Sequence, residues 1–318
     1  MKKILLSITC TLLYFYFFAQ MPAYPYPVHY FALHIEGQPV RMAYMDVAGD
    51  KPNGSVVLLF HGKNFNGYYW KQVIYFLAEN GYRVIVPDQV GWGMSDKPNI
   101  HYSFPLLAYN TRLLLDSLGI PKVAVIAHSM GGMLGARFCL MYPQMVSRMV
   151  YEDPIGLEDY KTFVPYKTTD QEYADELKAN FDSMKKYQES YFPVWKPEYD
   201  QYVTAQYEAM QIPDFKTATW ASALTYEMIY DQPVLYEFKN IEKPVLMFIG
   251  QADRTVVGKQ MLSKDVAERH GQYPLLGRFF HQQISGSTVI ELKGVGHIPH
   301  LQSPEIFRTK VLEFLAHK

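Results

Sequence analysis

The sequence predicts an α/β fold: a mostly parallel sheet flanked by helices, with an inserted helical cap. Three observations predict it. Apolar runs such as Val56–Phe60, Val123–Ala127 and Pro244–Ile249 alternate with stretches of helical spacing, as in parallel sheets buried on both faces. The run from Val123 ends at Ser129, between small residues, and passes straight into a helix-forming stretch from Met130 to Tyr142. From about Gly156 to Phe238 the strand pattern disappears, and helical stretches crowded with Tyr, Trp and Phe replace it.

The bulk properties allow one large α/β domain or two small ones. The chain has 318 residues, of which 49% are hydrophobic, enough for a large buried core. A formal net charge of −1 gives no basis for a nucleic-acid or anionic-membrane partner. Lys2 and Lys3 precede an apolar run from Ile4 to Ala19, the plan of a secretory signal peptide cut after Ala19. That run is shorter than the ~20 residues a spanning helix needs. The expectation is therefore a periplasmic or secreted protein with no stable membrane association after cleavage. Cys10 leaves with the leader, and Cys139 alone cannot form an internal disulfide. Its place on the helix after Ser129 makes it a packing residue. The expected units are a signal peptide over 1–19, a first core segment over 20–155, the cap over 156–240 and a second core segment over 241–318.

In chain order, Met21 to Pro27 alternates proline and tyrosine and reads as extended. Tyr30–Ile35 and Arg41–Val47 alternate apolar and polar residues about Gly37-Gln38-Pro39, a hairpin signal. After the strand Val56–Phe60 comes His61-Gly62-Lys63-Asn64, then a helix ending near Asn80. The strand Arg83–Pro87 runs into Asp88-Gln89-Val90-Gly91-Trp92-Gly93-Met94-Ser95. Gly91-Trp92-Gly93 lacks the third glycine and the helix start of a dinucleotide fingerprint, so a tight turn accounts for it. Phe104–Leu118 has helical spacing and is stopped by Gly119-Ile120-Pro121. Arg148–Tyr151 is a further strand. In the cap, Pro193, Pro197 and Pro213 break the helices. Such an insertion excludes water and shapes specificity. The last strand is Thr288–Leu292, and Pro304–Lys318 closes the chain as a helix.

The chemistry concentrates at three strand ends, in the order Ser129, Asp253, His297. A serine held in a sharp strand-to-helix turn needs small neighbours two residues away on either side. Gly131 meets that need, and Ala127 stands where G-x-S-x-G has its first glycine. A serine hydroxyl is a poor nucleophile at neutral pH and needs a base, which in turn needs an orienting acid. His297, in the glycine-bearing loop Gly294-Val295-Gly296-His297, is the base; Asp253, just past a buried strand, is the acid. Asp153 is a rival for the acid and His300 for the base. The remaining histidines show no metal-ligand spacing, so no metal is expected, and this chemistry requires no cofactor. Candidate substrate contacts are Asn64, Phe65, His128, Trp195 and Trp220.

Together these motifs resemble the α/β-hydrolase superfamily, in the branch with His-Gly after the third strand and a cap before the late acid. The resemblance runs from about Tyr30 to the C-terminus and includes Asp88…Gly91-Trp92-Gly93-Met94-Ser95 and Gly296-His297-Ile298-Pro299-His300…Ser303-Pro304-Glu305. It implies an eight-stranded, mostly parallel sheet. It also implies an oxyanion hole made by the backbone N–H groups of Lys63 and Met130. An aspartate at the elbow would indicate a haloalkane dehalogenase or epoxide hydrolase, and Ser129 argues against both. The expected activity is that of a serine carboxylesterase-type hydrolase cleaving an ester or lactone through an acyl-enzyme on Ser129. The aromatic cap suggests a bulky or macrocyclic apolar small-molecule substrate. Alternatives on the same scaffold are a proline iminopeptidase-like peptidase, for which Glu152, Asp153, Glu227 or Asp231 would supply an amine clamp, a carbon–carbon bond hydrolase, and a cofactor-free haloperoxidase. A non-catalytic ligand-binding protein is the alternative of another class.

Overall fold

The computed structural model describes residues 23–317, so the expected signal peptide over 1–19 lies outside the described residues. No helix among the described residues is long and apolar enough to cross a membrane. Eight strands form one sheet: β1 (Val28–Ile35), β2 (Gln38–Val47), β3 (Val56–Phe60), β4 (Arg83–Pro87), β5 (Val123–His128), β6 (Val146–Glu152), β7 (Val245–Gly250) and β8 (Thr288–Leu292). Their order is β1-β2-β4-β3-β5-β6-β7-β8; β1–β2 and β2–β4 pair antiparallel and every other pair is parallel. The mostly parallel α/β expectation thus holds. Strands β5 and β7 are buried along their whole length, which is why their sequences are unbroken apolar runs.

Helices cover both faces: α1 (Lys71–Glu79), α2 (Phe104–Ser117) and α3 (Met130–Met141) come before the cap. Between β6 and β7 lie α4 (Thr169–Glu176), α5 (Phe181–Glu189), α6 (Asp200–Ala209) and α7 (Phe215–Asp231), with no strand among them. After β7 come α8 (Lys264–Arg269), α9 (Tyr273–Gln283), α10 (Pro299–Gln302) and α11 (Pro304–Ala316). Two apolar clusters, one on each side of the sheet, make the core. The first gathers Phe60, Phe104 and Phe138; the second gathers Trp70, Phe248 and Phe307.

Two details differ from the sequence pattern. The hairpin turn is the pair Glu36-Gly37, both at positive φ (48° and 77°), and Pro39 already lies inside β2 opposite His34. A two-residue turn with both φ positive matches the twist of paired strands. Proline is tolerated at position 39 because β2 pairs with β4 only from Tyr44 to Val47, leaving the other edge unpaired there. The segment between β7 and β8 also holds two helices that the sequence pattern did not reveal, α8 and α9. The second packs its Gly277 against Ile249 of β7.

Candidate active site

Ser129 sits between β5 and α3 with φ 55° and ψ −121°, a conformation a side-chain-bearing residue adopts only under constraint. The constraint comes from its neighbours. A Cβ on Gly131 would be driven into the backbone carbonyl of Phe60, so only glycine lets α3 start this close to β3. The helix thereby points its first turn at the serine. The Met130 N–H, at the start of that turn, has no intrahelical acceptor.

His297 Nε2 lies 2.9 Å from Ser129 Oγ, and His297 Nδ1 lies 2.6 Å from Asp253 Oδ2. Asp253 Oδ1 accepts the Thr255 N–H at 2.8 Å, which orients the carboxylate. All three side chains are buried. The Asp253 carboxylate can only accept, so Nδ1–H donates to it, and Nε2 faces the serine hydroxyl as acceptor. Both rivals are engaged elsewhere. The carboxylate of Asp153 accepts the Gly250 N–H (2.9 and 3.0 Å) and makes no bond to His297. Burial and the neighbouring Asp253 push its carboxyl well above the ordinary aspartate range. His300 pairs through Nδ1 with Glu152 (2.8 and 2.9 Å) and stacks on Trp70. The geometry therefore brings together Ser129, His297 and Asp253 and leaves out Asp153 and His300.

The loop after β3 completes the arrangement. A Cβ on Gly62 would come 3.1 Å from the Ser129 Cβ, which places the Gly62-Lys63 turn directly against the serine. Neither the Lys63 nor the Met130 N–H is spent on a hydrogen bond among the described residues. The loop is held from several sides. The Trp92 indole N–H donates to the Lys63 carbonyl (2.7 Å), the Phe65 N–H to Gly62 O (3.1 Å), and the Gly62 N–H to the Tyr69 hydroxyl (3.1 Å).

From Tyr69 the hydrogen bonds continue to the histidine. Tyr69 Oη lies 3.0 Å from His128 Nδ1, and His128 Nε2 lies 2.9 Å from the His297 carbonyl. Burial, and then the neighbouring His297 and His300, hold His128 well below the usual histidine pKa, so its ring is neutral. A carbonyl only accepts, so the ring proton is on Nε2 and the Tyr69 O–H donates to Nδ1. Every donor in the series Gly62, Tyr69, His128, His297 therefore has one direction. A neutral His128, with its ring centroid 4.9 Å from that of His297, also adds no positive charge beside an imidazolium forming there.

The cap contributes to the same centre. The Tyr191 carbonyl accepts the His297 N–H at 2.8 Å, its ring lies 4.8 Å from the imidazole, and its hydroxyl accepts from Asn64 Nδ2 at 2.9 Å. A cavity of about 580 Å³ opens over Ser129. Asn64 and Phe65 line it, as the sequence suggested. Three other suggested contacts, His128, Trp195 and Trp220, do not. His128 is fully buried beneath the serine and faces Tyr69. Trp195 packs between Phe192 and Tyr199 with its indole N–H on Asp200. Trp220 reaches outward, its N–H on Asn99. The cavity is also not apolar throughout. Trp92, Ile155, Met184 and Met261 line part of it, while Lys63, Lys167, Glu172 and Glu176 line the cap side. Of the acids weighed for an amine clamp, Glu152 and Asp153 are buried behind the site, and neither Glu227 nor Asp231 lines the cavity.

A buried Ser–His–Asp chain at the carboxyl edge of such a sheet, beside two unspent backbone N–H groups, is equipped for acyl transfer. Residues 55–304 match the family model described as the alpha/beta hydrolase fold, and the chain belongs to that family. It is 43% identical to a probable hydrolytic enzyme of Pseudomonas aeruginosa PAO1 of known crystal structure, over 92% of this chain and 96% of that one, with a TM-score of 0.90. An esterase from Exiguobacterium antarcticum shares the fold at 20% identity, over 90% of this chain and 99% of that one, with a TM-score of 0.69. Epoxide hydrolase 3 of Siraitia grosvenorii is 37% identical over 99 residues, 30% of this chain and 31% of that protein. The curated relatives are matched over only 28% to 39% of their own length.

Proposed function

We propose that this hydrolase cleaves a carboxylic ester or lactone through an acyl-enzyme on Ser129. The observation that carries the reading is the unbroken chain from Ser129 Oγ through His297 to Asp253, set beside the free N–H groups of Lys63 and Met130. Ser129 Oγ attacks the carbonyl carbon as His297 Nε2 takes its proton, and the developing oxyanion is met by the two N–H groups. Asp253 stabilises the imidazolium. The proton passes to the leaving alkoxide, and the carbonyl re-forms as the alcohol departs. A water molecule then gives its proton to His297 and attacks the acyl-enzyme, releasing the acid and restoring Ser129. For a lactone, the alcohol and acid are two ends of one product.

Epoxide opening, the activity named for three curated relatives, is disfavoured by the same residues. An epoxide has no carbonyl oxygen for the Lys63 and Met130 N–H groups to hold. A peptidase selective for a free amine is disfavoured because the acids proposed for its clamp do not line the cavity. From the basic start and apolar run over 1–19 we further propose that the enzyme is periplasmic or secreted. The test is intact mass after treatment with a fluorophosphonate. The expected result is a single adduct on wild type and none on Ser129→Ala. A folded wild type that gains no adduct and hydrolyses no p-nitrophenyl ester refutes the reading.

A further inference from the structure

The cap side of the cavity has a chemistry that ester cleavage does not use. Lys63 reaches from the oxyanion loop into the cap, where its ammonium lies 3.1 Å from Glu176 Oε1 and 2.9 Å from Ser222 Oγ. The Ser222 hydroxyl donates to the same Glu176 oxygen at 2.8 Å. Each member keeps hydrogen-bonding capacity. Lys63 has a third N–H, and Glu176 Oε2 takes no hydrogen bond among the described residues. Tyr226, one helical turn beyond Ser222 on α7, also lines the cavity. It is 5% exposed, and its hydroxyl has no partner among the described residues. That hydroxyl lies at Gly258, itself part of the cavity wall. A buried, unpartnered hydroxyl on a cavity wall is uncommon in folded proteins and calls for a ligand or water.

The charges of this wall cancel. Lys63 pairs with Glu176, Lys167 with Glu172 and Asp175 (2.6 and 2.7 Å), and Lys178 with Asp175 (2.6 Å). A substrate carboxylate would need a lone cation here and a substrate ammonium a lone carboxylate; this cap wall has neither to offer without breaking a pair, and Lys97, which lines the cavity from the loop after β4 without a carboxylate partner among the described residues, has its ammonium on the Gly93 and Ser95 carbonyls (2.8 and 3.3 Å). An alkyl chain laid against the same wall would cover the free Lys63 N–H and Glu176 Oε2 without replacing their hydrogen bonds to water, and would leave the Tyr226 O–H without a partner. An uncharged group that both donates and accepts satisfies the wall. The apolar side of the cavity, with Trp92, Met184 and Met261, leaves room for hydrocarbon between that group and the ester.

Resting on the ester-hydrolase reading, we propose that Lys63, Glu176, Ser222 and Tyr226 form a specificity subsite for an uncharged hydrogen-bonding group, a hydroxyl or an amide, carried by an otherwise apolar substrate some bonds from its scissile carbonyl. The substrate class is thus an amphiphilic ester or lactone rather than a wholly apolar one. The Lys63 side chain gives the subsite a second property: the residue whose backbone N–H meets the oxyanion also touches the far end of the substrate, so filling the subsite steadies the oxyanion loop.

The test compares kcat/KM for p-nitrophenyl hexanoate with its ω-hydroxy, ω-acetamido and ω-carboxylate counterparts. Wild type is expected to favour the hydroxyl or acetamido ester over the plain one by about tenfold, the factor one hydrogen bond supplies, and to place the carboxylate below both. In Ser222→Ala and Tyr226→Phe, each a small deletion, that ratio falls toward one. A wild-type ratio of one or less overturns the subsite, as does an undiminished ratio in both variants. Preference for the carboxylate ester overturns its neutral character. Failure of folded wild type to turn over any of the esters, with no fluorophosphonate adduct, overturns the ester-hydrolase reading itself and the subsite with it.

Discussion

Replacing Tyr69 by Phe removes one oxygen atom and tests whether the buried hydrogen-bond series positions the site. The ring keeps its stacking on Phe65, 4.5 Å away. What is lost is the acceptor for the Gly62 N–H and the donor to His128 Nδ1. Both orphaned groups are buried, and a buried polar group without a partner costs about 1–3 kcal/mol. The two together give a loss of at least about 2 kcal/mol. With a urea dependence of about 2 kcal/mol per molar, the unfolding midpoint falls by about 1 M. The catalytic effect is separate. Gly62 directly precedes the Lys63 N–H, and removal of a whole oxyanion donor costs about 100- to 1000-fold in kcat. Loosening one of the bonds that hold the turn, while Trp92 and Phe65 still hold it, costs less, and about tenfold is expected. The assay is kcat on p-nitrophenyl acetate per serine titrated by fluorophosphonate, so that unfolded enzyme does not count, alongside urea unfolding. A Tyr69→Phe enzyme with wild-type kcat per titrated serine and a wild-type midpoint would refute the reasoning.

The remaining predictions concern the acid, the neutral histidine and the cap contact. Asp253→Asn is expected to lower kcat by about four orders of magnitude, the size found when the acid of a Ser–His–Asp site loses its charge, whereas Asp153→Asn is expected to leave kcat far less changed; the reverse order would assign the acid to Asp153. His128 binds a proton less readily folded than unfolded, so it contributes stability at neutral pH that is lost as pH falls below about 6.5, by about 1.4 kcal/mol for each unit of pKa separation. Asp153 works in the opposite sense, since its raised folded pKa makes its contribution fade as pH rises. The observable is therefore a difference: His128→Gln, whose amide can make both hydrogen bonds without titrating, should lose less stability than wild type between pH 7 and 5, and parallel curves would count against the neutral-ring assignment. Gly296→Ala would drive a Cβ into the Tyr191 carbonyl that holds the His297 N–H. A stability loss of more than about 3 kcal/mol, with kcat per titrated serine also reduced, is expected, and a variant that unfolds like wild type would show that the contact yields easily.

The sheet was legible because its strands are either unbroken apolar runs, such as β5 and β7, or clean alternations, such as β1 and β2. Ser129, Asp253 and His297 were legible for a related reason: each follows a strand end that announces itself, and the small residues around Ser129 answer to a backbone constraint. The cavity walls were not. Trp195 and Trp220 are as aromatic as Tyr187 and Tyr191, and nothing local tells which rings turn inward; that is decided by how α5, α6 and α7 pack over the sheet. His128 has the composition of a substrate contact, yet strand alternation turns it away from the cavity, opposite in sense to what adjacency to Ser129 suggests. Tyr69 and Tyr191 act through a hydroxyl and a backbone carbonyl toward residues far along the chain, and no spacing rule carries that information. The helices α8 and α9 were hidden because α8 has only six residues and α9 carries Pro274 and Gly277, residues of low helix propensity that its packing on β7 overrides.

The bond from the His297 N–H to the Tyr191 carbonyl has a consequence for how such enzymes can be remodelled. An insertion that only roofs a site is modular: it can be trimmed, exchanged or grafted, and the chemistry beneath persists. Here the insertion lends a main-chain atom to the base itself, and Asn64, next to the oxyanion donor, is fastened to the same tyrosine. Any transplanted insertion must reproduce the path of one peptide unit to within hydrogen-bond tolerance, whatever its side chains. In this scaffold, selectivity and turnover are inherited together, and diversification of the roof is confined to segments away from Tyr191.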